Sequence, residues 1–317
     1  MKESIKLSLI GLPVIETLDQ FSDMTHISKG TLFRLSRQSG MHYKSYEVPK
    51  RHGGMRTINQ PSKDLKGLQS WILVNILYKL SVSSSCKGFE KGSSVVKNVE
   101  PHKDSNAILV IDLEDFFPSI RDVFVYNIFR KIGYNKLIST VFTNICTYQG
   151  ILPQGSPSSP RLANLVTWRL DRRIQGLVGR RGVTYTRYAD DLTFSSLSPS
   201  QLSQIVRPIN SIVLDEGFRV NDSKTRLIGP SRARLVTGLI ITNNGFGIGR
   251  KKYRILRATI HRVSQSPTGE TDKLFQYVRG WLAYLNAVDK KRSTRVKEYI
   301  KKLAASNQSS LLSKLLV

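Results

Sequence analysis

The stretch Tyr188-Ala189-Asp190-Asp191 decides the fold prediction, because it places two adjacent carboxylates between two short β-prone runs. These runs, residues 183–188 and 192–195, predict the two strands of a hairpin with the acids at its turn. A third carboxylate, Asp112, lies in an apolar run that starts at residue 107, 78 residues before Asp190. We therefore expect the three acids to meet at one end of a sheet.

Three clustered acids need a countercharge, since carboxylates about 4–5 Å apart repel by roughly 3–4 kcal/mol at an effective dielectric near 20. Mg²⁺ prefers hard oxygen ligands, and two such ions can clamp the attacking and leaving oxygens of a phosphoryl transfer. We predict that Asp112 and Asp190 bind both ions and that Asp191 completes the site. An isolated Asp pair is more often a solvated turn, so neighbouring motifs must decide.

Those motifs occur in a fixed order around the acids. They are Arg56-Thr-Ile-Asn-Gln-Pro61, Gly88-Phe89, the Asp112 run, Leu152-Pro-Gln-Gly-Ser-Pro-Ser-Ser-Pro160, Tyr188-Ala-Asp-Asp191 and Glu216-Gly-Phe-Arg-Val-Asn-Asp-Ser-Lys224. Over about residues 45–245 the chain resembles the polymerase core of bacterial reverse transcriptases. Val236-Thr237-Gly238 resembles the VTG signature of the retron branch. Asn98-Val-Glu-Pro-His102 resembles its Asn-Ala-x-x-His element, with Val where that element has Ala.

The resemblance implies an α+β fold, the right-hand polymerase fold with fingers, palm and helical thumb. An antiparallel palm sheet would carry the catalytic Asp residues. We expect the N-terminal helix and fingers in residues 1–106. The palm would follow in residues 107–245, with a fingers insertion at about 119–155, and a basic helical thumb in residues 246–317.

The resemblance also implies residues that hold the incoming nucleotide. Phe117 would lie beneath the sugar and exclude a 2′-hydroxyl, although Phe116 is an alternative for this role. Gln154 would lie where template and nucleotide pass, in a loop whose glycine lets the backbone approach a ligand closely. Arg56 is the candidate for holding the triphosphate, because a guanidinium can bind phosphate oxygens bidentately.

Two further residues complete the implied catalytic machinery. The backbone oxygen of Leu113 would be an additional metal ligand. Lys224 would protonate or neutralise the departing pyrophosphate. Without its position in the motif, Lys224 would be one of 49 basic residues and would carry no prediction.

The net charge of +26, from 49 Lys and Arg against 23 Asp and Glu, indicates a polyanionic partner, of which nucleic acid is the commonest. From residue 250 onward there are 16 Lys and Arg against 4 Asp and Glu. Basic residues at helical spacing in this part predict an RNA-binding face: Lys251, Lys252, Arg254, Arg257, Arg292 and Arg295. By resemblance, we add the signature residues Asn98, His102, Val236, Thr237 and Gly238 as RNA-binding.

Apolar spacing predicts helical structure over residues 14–40 and 122–148, and one long amphipathic helix over residues 64–80. No 18-residue apolar span is present, so we expect no membrane partner and a cytoplasmic location. Cys86 and Cys146 are predicted to be reduced and buried.

The function implied is RNA-directed DNA synthesis from dNTPs. A retron enzyme would use a structured noncoding RNA as primer and template. It would start DNA synthesis from a guanosine 2′-hydroxyl. The branched RNA–DNA product is called multicopy single-stranded DNA (msDNA). An effector protein in antiphage defence and a host RNase H for template removal are further implied partners.

Two alternative functions are also considered. One is a group II intron-like or diversity-generating reverse transcriptase, and the other is a non-catalytic basic RNA-binding scaffold for an effector. The three acids argue against the scaffold.

Overall fold

The computed structural model describes residues 2–50, 53–242, 245–265 and 271–307. Residues 266–270 and 308–317 of the predicted thumb lie outside this part of the chain. The helices are α1 (Lys2–Leu9), α2 (Leu18–Thr25), α3 (Lys29–Arg37), α4 (Lys63–Asn75), α5 (Val95–Val99), α6 (Asp122–Ile132), α7 (Lys136–Cys146), α8 (Ser159–Val166), α9 (Trp168–Gly179), α10 (Pro199–Asp215), α11 (Gly249–Gln265), α12 (Thr271–Val288) and α13 (Lys290–Asn307). The strands are β1 (Tyr43–Pro49), β2 (Met55–Pro61), β3 (Ala107–Asp112), β4 (Thr184–Tyr188), β5 (Asp191–Ser196), β6 (Arg226–Ile228), β7 (Arg234–Val236), β8 (Leu239–Thr242) and β9 (Gly245–Gly247).

A four-stranded antiparallel sheet in the order β4-β5-β3-β6 forms the centre of the fold. The predicted hairpin is present as β4 and β5, and the Asp112 run is β3. Because side chains alternate along a strand, Asp112 and Asp191 share one face of the sheet with Thr193 and Ser195. Leu192 and Phe194 project from the opposite face. The acids therefore lie at one end of one face.

The two faces of this sheet are covered by different hydrophobic cores. Leu109, Ile111 and Phe194 belong to a large core that includes buried residues of α9 and α10. Ile108, on the face that carries the acids, belongs to a second core with the buried residues of α11, α12 and α13. This second core also contains Val236 from β7, so it begins before residue 246.

The long helices predicted from apolar spacing are shorter in the structure. Residues 122–148 form two helices, because Gly133 adopts φ 121° and Asn135 starts α7 by accepting the Ile138 N–H over 2.9 Å. The helix predicted over residues 64–80 ends at Asn75, where Ile76 leaves helical geometry at φ −120°. The apolar period continues across these breaks because both segments bury the same side against the core, so period alone could not locate them.

The remaining elements pack around this centre. Strands β1 and β2 form a separate two-stranded sheet, and β7, β8 and β9 form a three-stranded one that leads into α11. Cys86 and Cys146 are buried free thiols, as predicted. Across the described residues, no helix has both the length and the apolar character needed to cross a membrane.

Candidate active site

The three predicted carboxylates meet at one end of the central sheet. Asp112 and Asp191 are direct cross-strand partners, and Asp190 occupies the turn that connects β4 to β5. The Asp190 carbonyl accepts the Leu113 N–H over 3.0 Å, which ties the turn to the residue after β3. Leu113 itself is buried, at 1% exposure. The sequence therefore predicted the meeting point of the acids correctly.

Burial and mutual repulsion perturb this carboxylate cluster. Burial, together with the neighbouring charges of Asp190 and Asp112, raises the pKa of Asp191 to about 6. Burial also raises the pKa of Asp190, and the Asp112 charge adds to the shift. Lys224 Nζ donates to Asp112 Oδ1 over 2.8 Å, and this bond raises the pKa of the lysine. The charge of Lys224 opposes the rise in both pKa values, with Arg56 acting on Asp190 and Arg226 on Asp191, but burial outweighs these cations.

This donor set suits a divalent cation in its chemistry. Carboxylate oxygens are the ligands that hard divalent ions prefer, and a cation would relieve the repulsion that raises the pKa of Asp190 and Asp191. Within the described ranges, no three or more His, Cys, Asp or Glu side chains already converge as a finished metal site. Lys224 lies against Asp112 instead, so ion binding would require the ammonium to give way there.

The turn that carries Asp190 is shaped by a close backbone contact. Ala189 adopts φ 59°, a left-handed conformation that is uncommon for a residue other than glycine. A Cβ on Gly88 would lie only 2.7 Å from the Ala189 backbone nitrogen, so glycine is required where this segment crosses the turn. Arg187 N–H donates to the Ser85 carbonyl over 2.8 Å and fixes the same crossing.

A buried ion pair beneath the turn was not anticipated. Arg187 Nε and Nη2 each donate to the Asp171 carboxylate over 2.8 Å, and both side chains are fully buried. Arg187 Nη1 also donates over 3.1 Å to the Ala189 carbonyl, which directly precedes Asp190. A sequence signal existed, because Asp171 shares the apolar face of α9 with Ile174 and Val178, a place where an acid needs a partner.

Arg56 and Gln154 line the same cavity of about 460 Å³ between β1–β2 and the 148–154 loop. Arg56 is exposed and Gln154 half-buried, so both are accessible to a ligand. The glycine after Gln154 has a different role from the one predicted. A Cβ on Gly155 would lie 2.6 Å from the Asn59 carbonyl, so glycine is required here for the close approach of strand β2.

The structure separates the two candidate sugar-contacting phenylalanines. Phe116 is 4% exposed and packs in the main core, with its ring 6.0 Å from that of Phe218. Phe117 is only half-buried, and its ring lies 6.1 Å from that of the exposed Phe89. Phe117 is therefore the one of the pair that a nucleotide can reach.

The burial of three of the signature residues argues against the predicted direct contact with RNA. Asn98 and His102 are 0% exposed and Val236 is 1% exposed, because α5 and the turn after it are covered by neighbouring strands and helices. Thr237 and Gly238 are half-buried. Sequence resemblance identified the two signature segments, residues 98–102 and 236–238, but could not distinguish a contact with RNA from a contact within the protein.

The predicted basic residues all lie on helices, and they differ in whether the side chain already contacts another part of the protein. Lys251, Arg254 and Arg295 are exposed on α11 and α13. Others are engaged in the protein: Lys252 donates to the Gly238 carbonyl over 2.9 Å, Arg257 stacks on the Tyr299 ring at 4.4 Å, and Arg292 pairs with Asp289. Lys252 and Arg257 are exposed as well, but Lys251, Arg254 and Arg295 are the better candidates for phosphate contact because they lie outside these contacts.

A family model described as reverse transcriptase (RNA-dependent DNA polymerase) matches residues 48–256. Retron Ec86 reverse transcriptase of Escherichia coli is 46% identical over 313 residues, which cover 98% of this chain and 97% of that protein. The chain belongs to the retron reverse transcriptases. Retron Mx65 reverse transcriptase of Myxococcus xanthus is 34% identical over 93% of this chain and 74% of that protein.

This retron reverse transcriptase is an RNA-directed DNA polymerase with the reverse transcriptase fold. Its family uses divalent metal ions, and its relatives bind RNA and DNA. Two solved structures align at low similarity. A foamy viral protease-reverse transcriptase in complex with double-stranded DNA has 17% identity and a TM-score of 0.48, over 89% of this chain and 46% of that one. A telomerase from Candida albicans has 11% identity and a TM-score of 0.49, and the alignment covers 94% of this chain and 67% of the telomerase chain.

Proposed function

We propose that this reverse transcriptase uses two Mg²⁺ ions held by Asp112, Asp190 and Asp191, with the Leu113 backbone oxygen as an additional ligand. The observation that carries the proposal is the meeting of three carboxylates at the sheet end, with raised pKa values for Asp190 and Asp191. When bound, such ions stabilise the charge on the attacking and leaving oxygens. Lys224, whose Nζ lies 2.8 Å from Asp112 Oδ1, would leave this contact when ions bind and would supply a positive charge or a proton to departing pyrophosphate.

We propose that the cavity beside this site receives the incoming dNTP. Arg56 would bind its phosphates, and Gln154 would contact the nucleotide or the template base. Phe117 would lie under the sugar. The cavity lining and the exposure of Arg56 support the roles of Arg56 and Gln154, and the half-burial of Phe117, next to the cavity-lining Pro118, supports its own.

We predict that Phe117→Ala relaxes discrimination against ribonucleotides, because a smaller side chain would leave space for a 2′-hydroxyl. The selectivity should fall by about tenfold or more, the value expected for losing about 1–3 kcal/mol of steric discrimination. The measurement is the ratio of kcat/KM for dCTP and CTP on one RNA template. Phe33→Ala, at an exposed phenylalanine on α3, is the matched control. An unchanged ratio in Phe117→Ala would exclude Phe117 from this role.

We propose that the chain is divided into three subdomains. The N-terminal helix and fingers occupy residues 1–106, the palm residues 107–245 with a fingers insertion at about 119–155, and the thumb residues 246–317. The common hydrophobic core of α11, α12 and α13 supports a helical thumb, and Ile108 and Val236 in the same core join it to the palm. That helical group would hold the nucleic acid, with Lys251, Arg254 and Arg295 among its phosphate contacts.

We predict that RNA binding is steeply salt-dependent, because Lys and Arg that neutralise phosphates release condensed counterions. Affinity should fall roughly 10³-fold or more between about 50 and 200 mM salt if several phosphates are contacted. The combined substitution of Lys251, Arg254 and Arg295 by Gln should reduce the slope of log affinity against log salt. Substitution of the exposed Lys44, Lys63 and Lys66 by Gln is a control that removes the same charge. Equal slopes for the two triple variants would place the phosphate contacts elsewhere.

We propose that the template and primer is a structured noncoding RNA, and that synthesis from a guanosine 2′-hydroxyl yields msDNA. This rests on the 46% identity to retron Ec86 reverse transcriptase. We further propose that the enzyme acts in the cytoplasm, in antiphage defence with a separate effector, and that a host RNase H removes the template RNA.

We predict that cells producing the enzyme together with the noncoding RNA encoded beside its gene accumulate DNA joined to RNA. The joint should be a 2′–5′ bond that resists RNase A and is cleaved by a debranching enzyme. DNA that lacks this joint would contradict the priming proposal and leave polymerase activity unaffected.

A further inference from the structure

The two retron signature segments contact each other, although 139 residues separate Asn98 from Thr237. Asn98 Nδ2 donates to Thr237 Oγ1 over 3.4 Å. Thr237 adopts φ 42°, and the next residue, Gly238, has its carbonyl bonded to Lys252 Nζ of α11 over 2.9 Å. Asn98 and Lys252 therefore hold the turn between β7 and β8 from two sides.

Four residues after Asn98, His102 joins the two strands of the hairpin that carries the acids. Its Nδ1 lies 2.6 Å from Ser195 Oγ on β5, and its Nε2 lies 2.8 Å from Thr186 Oγ1 on β4. Ser195 is on the same face of the sheet as Asp191, four residues along β5. At about 3.4 Å per residue, Ser195 lies about 14 Å along the sheet from Asp191, and Thr186, which pairs with Thr193, lies about 7 Å along it, so the ring acts outside the reacting atoms.

The ring can make both bonds without carrying a charge. Burial lowers the pKa of His102 to about 4, so the ring is neutral at physiological pH and has one donor and one acceptor nitrogen. Hydroxyl groups can either donate or accept, so Thr186 and Ser195 complement either tautomer. The link between the strands is thus maintained by neutral hydrogen bonds in a buried environment.

The same short segment packs into the core of the basic helices. Val99, between Asn98 and His102, is fully buried in the hydrophobic core that contains Val236, Leu239 and Leu285. Helix α5 packs against β4, β8 and α12. Residues 98–102 are therefore in contact with both the catalytic hairpin and the base of α11–α13.

We propose that residues 98–102 are a positioning element that fixes the hairpin carrying Asp190 and Asp191 relative to the β7–β8 turn and helices α11–α13. The inference rests on the proposed catalytic role of these acids and goes beyond it. Nucleic acid held on the basic helices reaches the acids in the correct register because Asn98 and His102 hold the two parts together. Both side chains act through the protein and not by touching RNA.

Thr186→Val tests the element with a small change, since it removes the hydroxyl that meets His102 Nε2 and keeps the shape of the side chain. Thr193→Val is the matched control, because Thr193 is equally buried, directly opposite Thr186, and outside the His102 bonds. The measurement is single-turnover dNTP addition to a DNA oligonucleotide annealed to a plain, unstructured RNA template. Nucleic-acid Kd, dNTP Kd and thermal unfolding of the same preparations accompany it.

We expect Thr186→Val to reduce the rate constant at saturating dNTP by about 10- to 100-fold, the effect of a misplacement approaching 1 Å. The nucleic-acid Kd should stay within about twofold, and Thr193→Val should keep the wild-type rate constant within the same limit. His102→Gln, which keeps a donor and an acceptor, should retain more of the rate constant than His102→Leu. If the leucine variant does not fold, the comparison of the two valine variants still decides.

Two results would overturn the proposal. A weaker Kd for the native structured RNA with an unchanged rate constant on the plain template would indicate recognition of RNA instead. A lower unfolding temperature with an unchanged rate constant for the folded protein would indicate a structural role alone. Failure of the carboxylate assignment is distinguishable, because it would be revealed by an active Asp190→Asn enzyme, whatever the valine variants do.

Discussion

Asp190→Asn should abolish metal-dependent DNA synthesis on an RNA template, with a loss of roughly 10³-fold or more, as expected when a central catalytic group is removed. The amide keeps the size of the side chain but removes the negative charge that we propose binds the ions. Because Asp190 lies in a turn at the sheet end, folding and RNA binding should be nearly unchanged. The measurement is dNTP incorporation per mole of folded enzyme.

Asp222→Asn is the matched control, since Asp222 is exposed, close in sequence to Lys224 and not part of the carboxylate cluster. It should keep near wild-type incorporation. Wild-type incorporation by Asp190→Asn would refute the assignment of the site. A loss of RNA binding by Asp190→Asn in proportion to its loss of activity would also contradict it, because the charge would then act on binding.

Arg187→Met should destabilise the fold by about 3–5 kcal/mol, the cost expected when one partner of a buried ion pair is removed. Among the described residues, the substitution leaves the buried Asp171 carboxylate with Tyr185 Oη as its remaining side-chain donor, over 2.8 Å. It also removes the bond from Arg187 to the Ala189 carbonyl. Urea unfolding gives the change in the free energy of unfolding.

Lys29→Ala provides the control for this second prediction, because Lys29 and Asp19 form an ion pair whose side chains are 57% and 61% exposed. Exposed pairs contribute only about 0–1 kcal/mol. Equal effects of the two substitutions would contradict the view that the Arg187–Asp171 pair supports the turn. Arg187→Met combined with Asp171→Leu should recover part of the lost stability, since no unpaired charge then remains buried.

The acid cluster could be predicted from the sequence because each acid is marked by local pattern. Strand propensity on both sides of Asp190 and Asp191 predicted the hairpin, and the apolar run before Asp112 predicted its strand. The meeting of Asp112 and Asp191 then follows from the antiparallel register of β3 and β5. These features depend on short-range sequence and on the geometry of an antiparallel sheet.

Long-range burial could not be read in the same way. Asn98 and His102 were assigned to RNA contact from their resemblance to a retron signature, which carries no information on burial, whereas tertiary packing buries both completely. Arg187 was hidden among 49 basic residues, and only its partner Asp171 on an apolar helix face indicated an internal ion pair. Gly155 was correctly singled out, but its neighbour proved to be the backbone of β2.

Binding of the divalent ions of polymerisation by Asp112, Asp190 and Asp191 can be tested most directly with Mn²⁺, because its anomalous scattering locates the ions. Crystals of the enzyme with an RNA template, a DNA primer and a non-hydrolysable dNTP analogue would be grown with Mn²⁺. The anomalous difference map should contain two peaks about 3.5–4 Å apart, next to these three carboxylates. A fully bound nucleotide without anomalous density at the carboxylates, or with both peaks elsewhere, would contradict the claim.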